Sequence, residues 1–278
     1  MNDNAKQLKI SLLYWGGRNI KIKTTLLENA YNFLNNSINF YHLATHEVYP
    51  QEYKRYWMFS IVDIVQAMEL IFKEVLRREN EIFLYENIDN PKHTVSITKA
   101  LHRIKNIINL ELKVQDERII NQAIEIRNNI IHYEIELDIN ELFQIYMSIF
   151  SFLKSFHYRF LKTDLHDYIE EEFWEEEEEL LLEKYNRNLL LHDEADSSKD
   201  YLLEVAESQL YMYYEIGDVE YKRIKYGEEE SAFKSEFCGD CAIKKGYYHV
   251  FGCDLEVCPK CNGQAITCGC HDIRDFLV

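Results

Sequence analysis

The chain has 278 residues, 47% of them hydrophobic, and a formal net charge of -17. That supplies a sizeable core for one large domain, or for a core domain with a smaller module. The sequence has no run of 18 apolar residues, and its start at Met1 to Lys6 lacks the basic-then-apolar layout of a secretory signal, which leads to the expectation of a cytoplasmic protein with no membrane partner. The acidity excludes less than it suggests. Residues 164–237 hold 7 Lys and Arg against 24 Asp and Glu, whereas residues 1–163 hold 20 against 19 and residues 238–278 hold 4 against 5. Local charge, not the total, decides whether the near-neutral parts meet a polyanion.

No glycine occurs between Gly17 and Gly217, and Pro50 and Pro91 are the only prolines there, which predicts a helical body. Leu26, Leu27, Ala30, Phe33, Leu34 and Ile38 recur at helical spacing over about Thr24 to Leu43, with Thr24 or Thr25 as the cap. Ile61, Ile64, Val65, Met68, Phe72 and Val75 give Tyr56 to Glu79 one wide apolar face, so this helix is expected at the centre. His93-Thr94 opens a third pattern, carrying Val95, Ile97, Leu101, Ile104 and Ile108. Asp116 caps a fourth that runs through Ile119, Ile120, Ala123, Ile124 and Ile126 to His132. After an acidic turn at Glu134 to Asp138, Ile139 to Leu161 form a fifth, with Leu142, Ile145, Tyr146, Ile149, Phe152, Leu153 and Phe156 as its buried stripe. The fold class expected is mainly α, with residues 1–163 as an up-down bundle of four or five helices.

Residues 164–237 form an acidic connecting region that includes the five carboxylates Glu175 to Glu179. Such a run reads as a solvated helix face or tether, or as a segment that occupies a basic RNA path when substrate is absent. From Asp200 a helical pattern with Leu202, Leu203, Val205, Ala206 and Leu210 gives way near Gly217 to alternating Val219, Tyr221 and Ile224, which predicts short strands.

All seven cysteines lie between Cys238 and Cys270. Cys238-x2-Cys241, sixteen residues, then Cys258-x2-Cys261 is ligand spacing for one tetrahedral zinc, and five of the nine glycines fall here to permit the turns. Residues 238–278 are therefore expected to be a small zinc module whose closed four-cysteine site is structural. Cys253, Cys268 and Cys270 read as small packed residues or free thiols; with His249 and His271 they could alternatively form a second site.

The other constellation is Arg127-Asn128-x3-His132 at the end of the fourth helix. A histidine near neutrality can move a proton off a ribose hydroxyl, while a permanently charged arginine holds the phosphate, and neither task needs a metal. Arg159 with His166, and Arg187 with His192, imitate the pattern, so its place between two strongly periodic helices is what favours Arg127. Five helical residues advance about 500°, which leaves Arg127 roughly 140° around the axis from His132. Asn128 shares the face of His132 and could orient the imidazole, while Arg127 points to a neighbour. A two-fold dimer would let Arg127 of one subunit serve a phosphate near His132 of the other. The bland alternative pairs Arg127 with Glu134 and leaves His132 as a helix-end cation.

Residues 24–163 resemble the HEPN family of helical-bundle proteins found in prokaryotic toxin, defence and CRISPR-associated ribonucleases. The resemblance rests on Arg127-Asn128-x3-His132, on the Ser60 to Lys73 segment with its Glu69-x3-Lys73 ending, and on His93. The C-terminal Cys258-Pro-Lys-Cys-Asn-Gly-Gln264 run is similar to a zinc ribbon. The resemblance implies a metal-independent endoribonuclease working as a homodimer on RNA, with transfer RNA one candidate. In that reading His132 is the general acid or base, Arg127 stabilises the anionic phosphorane and Asn128 positions groups around it. Some members carry a modifiable tyrosine two places after the histidine; here Glu134 stands there and the tyrosine is Tyr133.

Two further readings stand beside it. One is a catalytically inactive HEPN-fold scaffold of a defence or toxin-antitoxin system, whose zinc ribbon engages a partner protein or antitoxin. The other is a nucleic-acid-binding regulator relying on the ribbon, where Lys244, Lys245 and Lys260 make only a small basic patch. No G-x4-G-K-[ST] phosphate loop is present, which argues against a nucleotide-driven enzyme.

Overall fold

Thr25 and Glu28 start the first helix by a reciprocal exchange: the Glu28 amide donates to Thr25 Oγ1 at 3.1 Å and the Thr25 amide donates to Glu28 Oε2 at 2.7 Å. This capping box satisfies two amides that the first turn would leave unpaired. It opens α1 (Leu26–His46) in a computed structural model that describes residues 23–46, 52–108, 110–112, 114–134, 136, 138–186, 190–192, 195–217, 219–229 and 235–270. α2 (Tyr53–Glu79), α3 (Ile97–Ile107), α4 (Val114–His132) and α5 (Ile139–Leu161) follow. The described chain is mainly helical, with a cysteine-rich C-terminal part.

α2 packs against α1, α3, α4 and α5, the central place its wide apolar face predicts. Ile61, Ile64, Val65, Met68 and Ile71 are fully buried on it, against Leu34 and Ile38 of α1 and Tyr146, Ile149 and Leu153 of α5 in one continuous cluster. Burying such side chains stabilises by about 1.5–3 kcal/mol each before entropy is counted. Asp138 caps α5 by accepting from the Glu141 amide at 3.1 Å, and Lys162 ends it in the left-handed region at φ 61°. The third helix begins later than its pattern suggests. Thr94 forms an antiparallel bridge with Tyr85, and the Val95 amide donates to the Leu84 carbonyl, so this stretch is extended and Ser96 is the cap.

The core does not stop at residue 163. Leu165, Ile169, Phe173 and Leu180 join the same cluster, carried by α6 (Trp174–Lys184) and the turns before it. Two of the five consecutive glutamates are buried, Glu176 at 5% and Glu177 at 3% exposure, so the solvated-face expectation fails for them. The reason is a set of basic side chains beneath α6. Lys154, itself buried, donates to Glu177 and to Asp164; His166 Nδ1 lies 2.6 Å from Glu177, and His42 Nδ1 lies 2.5 Å from Glu176. Burial alone would raise the Glu177 carboxyl, but His166 and Lys154 hold it below its ordinary value. Glu175 and Glu179 remain exposed on the other face.

α7 (Lys199–Leu210) is capped by Ser198 and leads to β1 (Tyr213–Glu215) and β2 (Glu220–Lys222), an antiparallel pair turning through Gly217 at φ 69°. Leu190, Leu191, Val205 and Tyr226 share a cluster with Cys238, Cys241, Ile243, Val250 and Cys253. The connecting region is thus divided by its packing, one part against the helices and the rest against the cysteines. No described helix is long and apolar enough to cross a membrane.

Candidate functional site

The end of α4 holds the arginine and histidine. Arg127 lies on the side of α4 that faces α2: its Nη2 donates to Glu69 Oε2 at 2.7 Å, and Glu69 Oε1 accepts from Lys73 Nζ at 2.6 Å. Lys73 also donates to Thr94 Oγ1 at 3.1 Å, which ties the extended strand before α3 into the same chain of contacts. Side-chain exposures of 16% for Arg127, 13% for Glu69 and 9% for Lys73 keep these charges largely from water, where an opposed pair attracts more strongly. Arg127 therefore pairs with Glu69 of its own chain rather than with Glu134. Its Nη1 donates to Asn128 Oδ1 at 3.1 Å, so Asn128 engages the guanidinium and is not oriented on His132.

His132 is exposed on the last turn of α4, with the Tyr133 ring at 6.5 Å, and among the described residues no hydrogen bond or ion pair engages it. The neighbouring Ile131 and Tyr133 are exposed as well, and so is Ile139 at the start of α5. Of the two imitating pairs, Arg159 with His166 is spent on structure. Arg159 bonds Glu220 and lies over the Tyr213 ring at 4.0 Å, and His166 pairs with Glu177. Arg187 lies outside the described residues.

The cysteines are arranged differently from their spacing. Cys238 and Cys241 come together with His249 and Cys253, all four buried, while Cys258 and Cys261 come together with Cys268 and Cys270; within each group the ligand atoms lie within 4.8 Å of one another. The expected single site of Cys238, Cys241, Cys258 and Cys261 is not what the structure assembles, and Cys253, Cys268 and Cys270 are not mere packing residues. His271 lies outside the described residues.

The cause is a repeated turn. At the first pair, Phe237 bridges Lys244, the Cys238 amide donates to the Ile243 carbonyl at 2.8 Å and the Ala242 amide to the Cys238 carbonyl at 3.1 Å, with Ala242 at φ 55°. At the second, Val257 bridges Gln264, the Cys258 amide donates to the Gly263 carbonyl at 2.8 Å and the Asn262 amide to the Cys258 carbonyl at 2.9 Å, with Asn262 at φ 57°. Each knuckle presents two sulfurs and folds its own following segment back to complete the set. The signals in the sequence were His249-x3-Cys253 and Cys268-x-Cys270, each beginning within ten residues of its pair.

Arg223 joins the two knuckles. Fully buried, it donates to Glu256 Oε1 at 2.8 Å, to the carbonyls of Ser208 and Tyr211 at the end of α7, and through Nη2 to the carbonyl of His249 at 2.7 Å. Its guanidinium also lies over the Phe251 ring at 4.4 Å. Thiolate and imidazole donors at this spacing suit a closed, structural zinc environment, with no ligand position left for substrate. No family model matches the chain, and no curated protein and no solved structure shows significant similarity to it.

Proposed function

We propose that this chain is a metal-independent endoribonuclease of the HEPN type, a toxin or antiviral-defence effector that acts on RNA as a homodimer. The observation that carries the reading is the Arg127–Glu69–Lys73 chain of ion pairs beside an exposed His132 at the end of one helix. Glu69 fixes the guanidinium in one orientation while His132 stays open to solvent, the division of labour that general acid–base cleavage of a phosphodiester needs. The neutral imidazole of His132 takes the proton of the ribose 2'-hydroxyl. The oxygen attacks the adjacent phosphorus, the P–O5' bond breaks, and the His132 imidazolium so formed gives the proton to the leaving oxygen. The products are a 2',3'-cyclic phosphate and a free 5'-hydroxyl. Arg127 stabilises the extra negative charge on the five-coordinate phosphorus, and Asn128, bonded to it, limits its rotation. The exposed Ile131 and Tyr133, flanking His132 in the chain, give a second copy an apolar surface to cover.

The test is cleavage of total or transfer RNA by zinc-loaded protein in buffer without magnesium, with end-group analysis, alongside His132→Ala and Arg127→Ala. Loss of cleavage in both variants, with cyclic phosphate ends from the unaltered protein, supports the reading. Equal cleavage by His132→Ala sinks it. No cleavage by any form, together with a tight protein partner recovered from cells, favours the inactive scaffold, in which Arg127 serves only its ion pair with Glu69.

A further inference from the structure

We propose that residues 238–270 hold two zinc ions rather than one, an inner ion on Cys238, Cys241, His249 and Cys253 and an outer ion on Cys258, Cys261, Cys268 and Cys270. Three of the separations among the inner ligand atoms match the edge lengths of a zinc tetrahedron. Zinc–sulfur and zinc–nitrogen bonds of about 2.3 and 2.0–2.1 Å put two sulfurs about 3.8 Å apart and a sulfur and a nitrogen about 3.5 Å apart. Cys238 and Cys253 sulfurs are 3.8 Å apart, and His249 Nδ1 is 3.5 Å from the Cys241 sulfur and 3.2 Å from that of Cys253.

The second observation is behind the histidine. His249 Nε2 lies 3.0 Å from Glu229 Oε1, both residues are buried, and the other Glu229 oxygen accepts from the Gly227 amide at 2.6 Å. A carboxylate that accepts a hydrogen bond from the far ring N–H leaves Nδ1 with its lone pair toward the sulfurs, which is how a histidine is held for a metal. The Leu255 amide donates to the Cys253 sulfur at 3.4 Å, which helps orient that sulfur in the group. For the outer set, the repeated knuckle at Cys258 and Cys261 is the argument, because the same backbone turn supplies the same pair of sulfurs and Cys268 and Cys270 close the group.

The two ions are not equivalent. The inner ligands are all buried, and their backbone is keyed into the rest of the body: Tyr201 on α7 donates to the Cys241 carbonyl at 2.7 Å, and Arg223 donates to that of His249. In the outer set Cys261 is exposed and Cys268 and Cys270 are half-buried. The inner ion is part of the fold, and the outer one exchanges with solution.

Metal analysis of the full chain, purified without chelator and measured by mass spectrometry under non-denaturing conditions, is expected to give two zinc ions per chain. Release to a chromogenic chelator is expected in two phases of one equivalent each, the outer about tenfold or more faster. The double variant Cys261→Ser, Cys268→Ser should keep one zinc and lose the fast phase. Glu229→Gln should keep the fast phase and weaken the slow site about 10- to 100-fold. One zinc per chain, iron in place of zinc, a single release phase, or loss of both ions from the outer double variant would each overturn the proposal. The stoichiometry of the unaltered protein decides the main point without any variant having to fold.

Discussion

From residue 26 to residue 180 one apolar cluster runs unbroken through five long helices and the start of α6, whereas residues 190–270 divide their apolar contacts among small groups, two of which are built partly from cysteines. The first region holds itself together by area; the second is built around buried charge and two cysteine-rich groups with the spacing to hold metal ions. That difference says where each half should break. Removing zinc by prolonged chelation should abolish protease resistance across residues 190–270 while the helical circular dichroism of α1 to α5 survives. A structural zinc contributes on the order of 10 kcal/mol to the folding of a small metal domain, far more than any single side chain here. Limited proteolysis with mass mapping reads the result, and a C-terminal half that stays resistant when stripped would end the contrast.

Next in size is Arg223. Its guanidinium and the Glu256 carboxylate are essentially without water, at 0% and 1% side-chain exposure. Arg223→Met should destabilise the C-terminal body by about 3–5 kcal/mol, because it strands a buried carboxylate and frees the carbonyls of Ser208, Tyr211 and His249. Adding Glu256→Leu should recover a substantial part of that loss, since the stranded charge disappears. Urea unfolding of the single and double variants measures both, and no recovery in the double variant would assign the loss to the carbonyls alone.

The two halves also differ in how far their sequence discloses them. Periodic burial needs only the spacing of apolar residues, so α5 begins and ends where its stripe predicts, at Ile139 and Leu161. The start of α3 departs from its pattern because the bridge between Thr94 and Tyr85 is a tertiary contact that overrides local preference. Burial of Glu176 and Glu177 is hidden for the same reason, since the basic side chains that pair with them, His42, Lys154 and His166, come from α1, α5 and the turn after it. Glu69, Lys73 and Arg127 are individually visible, but the contact between Glu69 and Arg127 spans 58 positions and no spacing rule reaches so far. In the cysteine half the ligand types are legible and the partition is not. Two Cys-x2-Cys pairs fit one ion or the halves of two, and the choice depends on which segment folds back on each knuckle.

Within the helical half, Glu69→Gln probes whether the α4 end is held as firmly as the core around it. Glu69 receives both Arg127 and Lys73, so neutralising it leaves two largely buried cations facing an amide. A loss of about 1–3 kcal/mol is expected, with Lys73 losing its charged acceptor while retaining its bond to Thr94. The same variant should lower RNA cleavage by loosening the guanidinium. Stability loss with unchanged cleavage would confine Glu69 to structure.

The smallest effect separates the halves by the sign of their response to acid. Burial pushes the Asp63 carboxyl up from its ordinary value to about 6, against the opposing hydrogen bond from Asn36 at 3.0 Å. A folded-state value above the unfolded one means the folded protein binds this proton more tightly, so the contribution is favourable at low pH and is lost as pH rises through about 6. Asp63→Asn should therefore stabilise the helices by about 1–2 kcal/mol at pH 7.5 and by almost nothing near pH 4. Taking the difference between variant and unaltered protein at each pH removes His157 and His166, which titrate with opposite signs and would otherwise blur the comparison. If the two-zinc proposal holds, the cysteine half should respond in the other direction, because protons compete with the metal for its ligands as pH falls. Thermal unfolding followed by helical signal, set against zinc release over the same pH range, resolves the two. Helices relieved by the substituted amide only at the alkaline end, beside a cysteine body that weakens only at the acid end, is the expected pair of curves. A benefit of Asp63→Asn that is independent of pH would place its origin in packing and remove the charge argument.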